Sequence, residues 1–107
     1  MTKEREMLEL AAKAAGFKII SVQHGKLNCH DWRCKRNFHW NPLTDDGDAQ
    51  RLAVKLEMMV DTVNRVVAGY LSDVCIEIDY DEQEKDPYAA TRLAIVRAAA
   101  EIGRNMT

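Results

Sequence analysis

The residues predict an α+β two-layer domain, in the order α-β-β-α-β-β-α, with helices packed on one face of a mostly antiparallel sheet. Three observations carry that expectation. Val74, Ile76, Ile78 and Tyr80 alternate with Cys75, Glu77, Asp79 and Asp81, the period of a half-buried strand. Residues 3–15 place Met7, Leu8, Leu10, Ala11, Ala14 and Ala15 on one helical face. The dipeptide Asp86-Pro87 opens a long apolar arc that runs to the C-terminal end. The 107 residues suffice for one core without metal or disulfide help, so residues 1–107 are read as a single domain.

In chain order, Glu4 and Glu6 suit the positive end of the first helix, and Gly16 is the expected left-handed stop. Residues 17–23, with Phe17, Ile19, Ile20 and Val22, read as the first strand. Residues 24–39 are irregular in pattern. Phe38 and Trp40 flank His39 and mark a second strand ending at Trp40, which makes a hairpin with a long basic tip.

The second helix is expected from Thr44 or Asp46, with Asp45, Asp46 and Asp48 near its positive end and Leu43 as a hydrophobic staple. Its core stripe is Ala49, Leu52, Ala53 and Leu56. Residues 59–70 fit either a helical continuation or a strand. The β-branched Val60, Thr62, Val63, Val66 and Val67 favour the strand, with Gly69 near a turn. Residues 81–85 are an acidic loop. In the third helix, to about Asn105, Tyr88, Ile95, Val96, Ala99, Ile102 and Met106 share one face, and Arg97 and Glu101 are spaced as an ion pair. Arg92 interrupts that apolar arc and is expected to pair with Asp46 or Asp48.

Residues 1–43 carry eight Lys/Arg against four Asp/Glu, and residues 44–107 seven against thirteen, so the halves are +4 and −6 within a net −2. The three cysteines, Cys29, Cys34 and Cys75, follow no secretory signal, and no apolar run is long enough to span a bilayer. Reduced thiols in a cytoplasm are the expectation, with no membrane partner.

Four constellations invite a functional reading. The acidic row Asp73, Glu77, Asp79 and Asp81 suits a basic protein partner, although such a row also shields an edge strand from aggregation. Lys26, Arg33, Lys35 and Arg36, among Trp32, Phe38, His39 and Trp40, suit stacking and phosphate contact in a nucleic-acid module, although aromatic rings at a hairpin base are normally core. His24, Cys29, Cys34 and His39, five residues apart, offer a zinc donor set only if the loop folds back, since residues five apart on a strand alternate faces. Asp45, Asp46 and Asp48 do not fit a calcium loop, because Gly47 at its sixth position would put Pro42 at its first. No nucleophile–base pair or glycine-rich phosphate loop has local support, so neither an enzyme nor a cofactor is expected.

Trp40-Asn41-Pro42-Leu43-Thr44-Asp45-Asp46-Gly47-Asp48-Ala49 and Leu52-Ala53-Val54-Lys55-Leu56 carry a likeness, as do Asp86-Pro87-Tyr88-Ala89-Ala90-Thr91-Arg92 and Ile95-Val96-Arg97-Ala98-Ala99-Ala100-Glu101-Ile102-Gly103. With Leu8-Glu9-Leu10-Ala11-Ala12-Lys13-Ala14-Ala15-Gly16, these segments resemble an uncharacterised family of short accessory proteins of tailed bacteriophages and prophages. The likeness covers about half the chain. It implies source and setting, manufacture in a host bacterial cytoplasm; taken with the +4/−6 charge split, the expectation is a protein that binds a host or phage protein, in defence or regulation. Trp40, Asp45, Asp46, Asp48 and Arg92 form its structural motif.

Overall fold

A computed structural model describes residues 2–23, 26–31, 35–71 and 74–106. The order is α1 (Thr2–Ala15), β1 (Lys18–Gln23), β2 (Lys26–Asp31), β3 (Arg36–Trp40), α2 (Asp46–Lys55), β4 (Met59–Asp61), β5 (Val66–Leu71), β6 (Val74–Asp79) and α3 (Pro87–Asn105). The α+β class holds, but the chain builds two three-stranded antiparallel sheets, β1-β2-β3 and β4-β5-β6, in place of one four-stranded sheet. A helix followed by a three-stranded meander occurs twice, and α3 completes the fold.

Two strands account for the difference. Within the irregular-looking stretch, β2 runs antiparallel to both neighbours, with Leu27 opposite Trp40 and Cys29 opposite Phe38. Leu27 and Cys29 are buried while Asn28 and His30 are not. That is a period of two carried by only two apolar side chains. In the 59–70 stretch the strand reading holds, but it divides into β4 and β5 at a four-residue turn between Asp61 and Val66. An Asp61 carboxylate oxygen accepts from the Val63 and Asn64 N–H groups at 3.1 and 3.0 Å, and Arg65 takes φ 59° to close the turn. Gly69 lies inside β5, not in a turn.

Both connections from helix to strand are built alike. After α1, the Phe17 N–H donates to the Ala12 carbonyl at 2.9 Å and the Gly16 N–H to Lys13 at 3.1 Å, with Gly16 at φ 81°. After α2, Met58 donates to Ala53 at 2.9 Å and Glu57 to Val54 at 3.1 Å, with Glu57 at φ 54°. Each helix therefore ends in a Schellman turn, and a strand begins one residue later.

Small residues let α1 and α3 meet closely. Ala11, Ala12 and Ala15 of α1 and Ala94, Ala98 and Ala99 of α3 are all buried. At Gly103 the two backbones touch so closely that a Cβ there would lie 2.0 Å from the Leu10 carbonyl oxygen. The second sheet packs its Val67 face on α3, where a Cβ on Gly69 would lie 3.1 Å from Ile102 Cδ1. Phe17 anchors the first sheet by edge-to-face contacts with Phe38 (4.9 Å) and Trp40 (5.6 Å). Tyr88, expected on the apolar face of α3, is exposed, since it stands in the helix's first turn beyond the reach of the core. Among the described residues no helix is long and apolar enough to cross a membrane.

Candidate functional site

The outer face of the second sheet is an open surface. Pairing puts Tyr70 opposite Cys75, Ala68 opposite Glu77 and Met59, and Val66 opposite Asp79 and Asp61. Because side chains alternate, these residues share one face while Val60, Val67, Gly69, Ile76 and Ile78 share the other. Tyr70 is 63 % exposed and Met59 54 %, on either side of the buried Ala68. Glu77, Asp79 and Cys75 are exposed along β6, an edge strand bonded to β5 alone among the described strands. The face is thus an apolar and aromatic strip bordered by carboxylates.

Of the acidic row expected from the sequence, Glu77 and Asp79 stand together here. Asp73 lies outside the described residues. Asp81 departs from the row: it follows the end of β6, pairs with Arg97 at 3.7 Å and accepts from the Gln83 N–H at 2.9 Å. Arg97 was expected to pair with Glu101, which instead pairs with Arg104. The helix spacing permits both, and Asp81 offers Arg97 a partner from another element.

A second concavity, about 560 Å³, lies between β2, β3 and α2. Arg36, Arg51 and Lys55 share it with Asp31 and Asp48, so its cations face carboxylates. Arg51 pairs with the buried Asp48 at 2.8 Å, and Lys55 lies 3.8 Å from Asp31 and 4.9 Å above the Phe17 ring. Trp40 is buried, and Phe38 is held against Phe17. Lys35 and Arg36 are exposed; Arg33 and the side chain of Lys26 lie outside the described residues.

The zinc candidates do not converge where they can be compared. Cys29 faces the core on β2, while His39, opposite the neighbouring Asn28, faces the other side of the same sheet. His24 and Cys34 lie outside the described residues. Among those described, no three His, Cys, Asp or Glu side chains come together as metal ligands. Burial, reinforced by the negative charge of Asp48, pushes the Cys29 thiol up to about 11, so it stays protonated at neutral pH.

The Trp40–Ala49 joint is a hydrogen-bonded scaffold. Asp45 is the N-cap of α2, accepting from the Gly47 N–H at 2.8 Å and the Asp48 N–H at 3.4 Å. The buried Asp48 accepts from the Asn41 N–H at 2.9 Å, and Asn41 Oδ1 accepts from the Leu43 N–H at 3.1 Å. Of the two carboxylates offered to Arg92, Asp46 is the one taken, at 2.5 Å, while Arg92 Nε donates to the Leu43 carbonyl at 2.9 Å.

Sequence reasoning missed a groove of about 640 Å³ between α2, the β4–β5 hairpin and the first turns of α3. Ala49, Val60 and Ile95 line it together with Arg65, Tyr80 and Arg92. The guanidinium of Arg65 sits 5.4 Å above the Tyr80 ring. Only Arg92 had a sequence signal, as a cation within an apolar arc.

Compared with known proteins, the chain matches no family model, no curated sequence and no solved structure.

Proposed function

We propose that the chain is a non-enzymatic protein-binding module that docks a basic partner on the outer face of its second sheet. The observation that carries this reading is the exposure of Tyr70 and Met59 on one face bordered by Glu77 and Asp79. Tyrosine and methionine are enriched at the centres of interfaces, where a few large side chains dominate the energy. The carboxylates set the sign of the partner's surface and speed its approach. The resemblance to phage accessory proteins supplies the setting: a host or phage protein in the bacterial cytoplasm, bound for defence or regulation. The test is capture of a protein from bacterial lysate by the wild type but not by the folded variant Tyr70→Ala/Glu77→Lys/Asp79→Lys. Equal capture by both removes the reading.

The second reading, a nucleic-acid module using residues 24–40, keeps Lys35 and Arg36 as exposed cations. It has less support, because Trp40 is buried and Phe38 packs on Phe17, which leaves those rings unable to stack bases. A gel shift at low salt tests it: the reading requires a shift that is lost in Lys35→Ala/Arg36→Ala.

A further inference from the structure

We infer that the groove beside Tyr80 is a binding site for a small apolar molecule bearing one carboxylate. Its volume, about 640 Å³, is that of a ligand pocket, with an apolar floor at Ala49, Val60 and Ile95. Two cations border it. Arg92 is half spoken for, by Asp46 and the Leu43 carbonyl, whereas Arg65 makes no ion pair among the described residues. With one carboxylate already present, Asp46, the groove carries a single uncompensated positive charge. That matches a singly charged carboxylate, which one guanidinium can hold through two parallel hydrogen bonds.

The independent observation is the Tyr80 hydroxyl. Tyr80 is 6 % exposed and lines this groove, and its hydroxyl is the one buried side-chain polar atom among the described residues without a hydrogen-bond partner. A buried hydroxyl left unsatisfied disfavours the folded state, and phenylalanine would fill the same space without it. The ligand supplies the missing acceptor: its carboxylate bridges the Tyr80 hydroxyl and the Arg65 guanidinium, and its apolar body lies on Ile95 and Val60. The guanidinium that now covers the Tyr80 ring turns toward the carboxylate as the ligand enters. This site is separate from the outer face of the second sheet, so its fate does not depend on that reading.

Phenylacetate is the probe, with phenylacetamide as its neutral counterpart and inorganic phosphate as the anion without an apolar body. Binding is read from backbone amide resonances of the full chain. The expected result is saturable movement of resonances at Val60, Arg65, Tyr80 and Ile95 with phenylacetate at millimolar concentration, and none with phenylacetamide or phosphate. Tyr80→Phe should weaken phenylacetate about fivefold or more, the equivalent of one lost hydrogen bond. The free Tyr80→Phe protein should be at least as stable as the wild type, which separates loss of the contact from loss of the fold. Equal binding of phenylacetamide, unchanged affinity in Tyr80→Phe, or a less stable free Tyr80→Phe each overturns the inference. The last would mean that the hydroxyl already has a partner.

Discussion

Substituting Gly103 by alanine is the sharpest single perturbation of this fold. The new Cβ would lie 2.0 Å from the Leu10 carbonyl oxygen, 2.8 Å from its carbon and 3.3 Å from Leu10 Cα, and real Cβ contacts essentially never fall below 3.0 Å. The obstacle is backbone, so no side chain can swing aside, and α1 has to retreat by about an ångström. Retreat loosens the packing of Ala11, Ala12 and Ala15, which are now buried. Alanine's better helix propensity returns about 1 kcal/mol, while overpacking typically costs about 1–3 kcal/mol and more against a rigid neighbour. With the cost at or above the top of that range, because the obstacle is backbone, the expected net loss is about 2 kcal/mol or more, a fall in Tm of roughly 10 °C or more. Urea denaturation followed by circular dichroism checks it, with the midpoint falling and the slope unchanged. An unchanged or raised midpoint, the normal result for Gly→Ala at an open helical position, would refute the close approach of α1 and α3.

Other outcomes follow from single residues. Glu57→Gly should stabilise by about 0.5–1 kcal/mol in the same assay, because Glu57 holds φ 54° at an exposed helix end where glycine rests without strain. Asp61 is held below its usual carboxylate range, first by the Asn64 backbone N–H, then by the Asn64 side-chain amide and the Val63 N–H. Its folded pKa is depressed, so its contribution is present above the ordinary value of 3.8 and is lost as pH falls through the lowered one. The stability difference between wild type and Asp61→Ala should accordingly be full at neutral pH and shrink in acid; a difference independent of pH would contradict the turn. With a thiol reagent at neutral pH, the exposed Cys75 should react in the native protein and the buried Cys29 only on unfolding, read by mass spectrometry of peptides.

The parts of the fold that could be read from sequence are those where backbone demand matches an unambiguous residue. Asp86-Pro87 became an N-cap whose carboxylate accepts from the Tyr88 N–H at 3.0 Å, with proline at the helix start. Gly16 took the left-handed stop, and the alternation from Cys75 to Tyr80 became an exposed and a sheltered face. Legibility failed where the same geometry is made by an unexpected residue. Glu57 occupies the position that Gly16 occupies after α1, and nothing in a glutamate announces a left-handed turn. β2 carries only Leu27 and Cys29 as inward apolar side chains, beside the buried Asp31, too few to stand out in a polar stretch. Gly103 gives no local signal either, since its role depends on another helix arriving there.

The candidate sites divide in the same way. Arg92 within an apolar arc implied a carboxylate partner, and local chemistry narrowed it to two. The acidic row followed the strand period as far as Asp79, but Asp81 was drawn off by Arg97 from a distant element. The strip of Met59 and Tyr70 needed the register of three strands before it became one surface. So did the groove at Tyr80, assembled from α2, a hairpin and α3.

The central claim is that the outer face of the second sheet binds a protein, with Tyr70 as its anchor. The most direct measurement is the affinity of a lysate-captured partner for the wild type and for Tyr70→Ala, with His39→Ala on the other sheet as control. Truncating a central aromatic anchor should weaken binding about tenfold or more, with the His39→Ala affinity unchanged. Equal affinities for wild type and Tyr70→Ala would contradict the account.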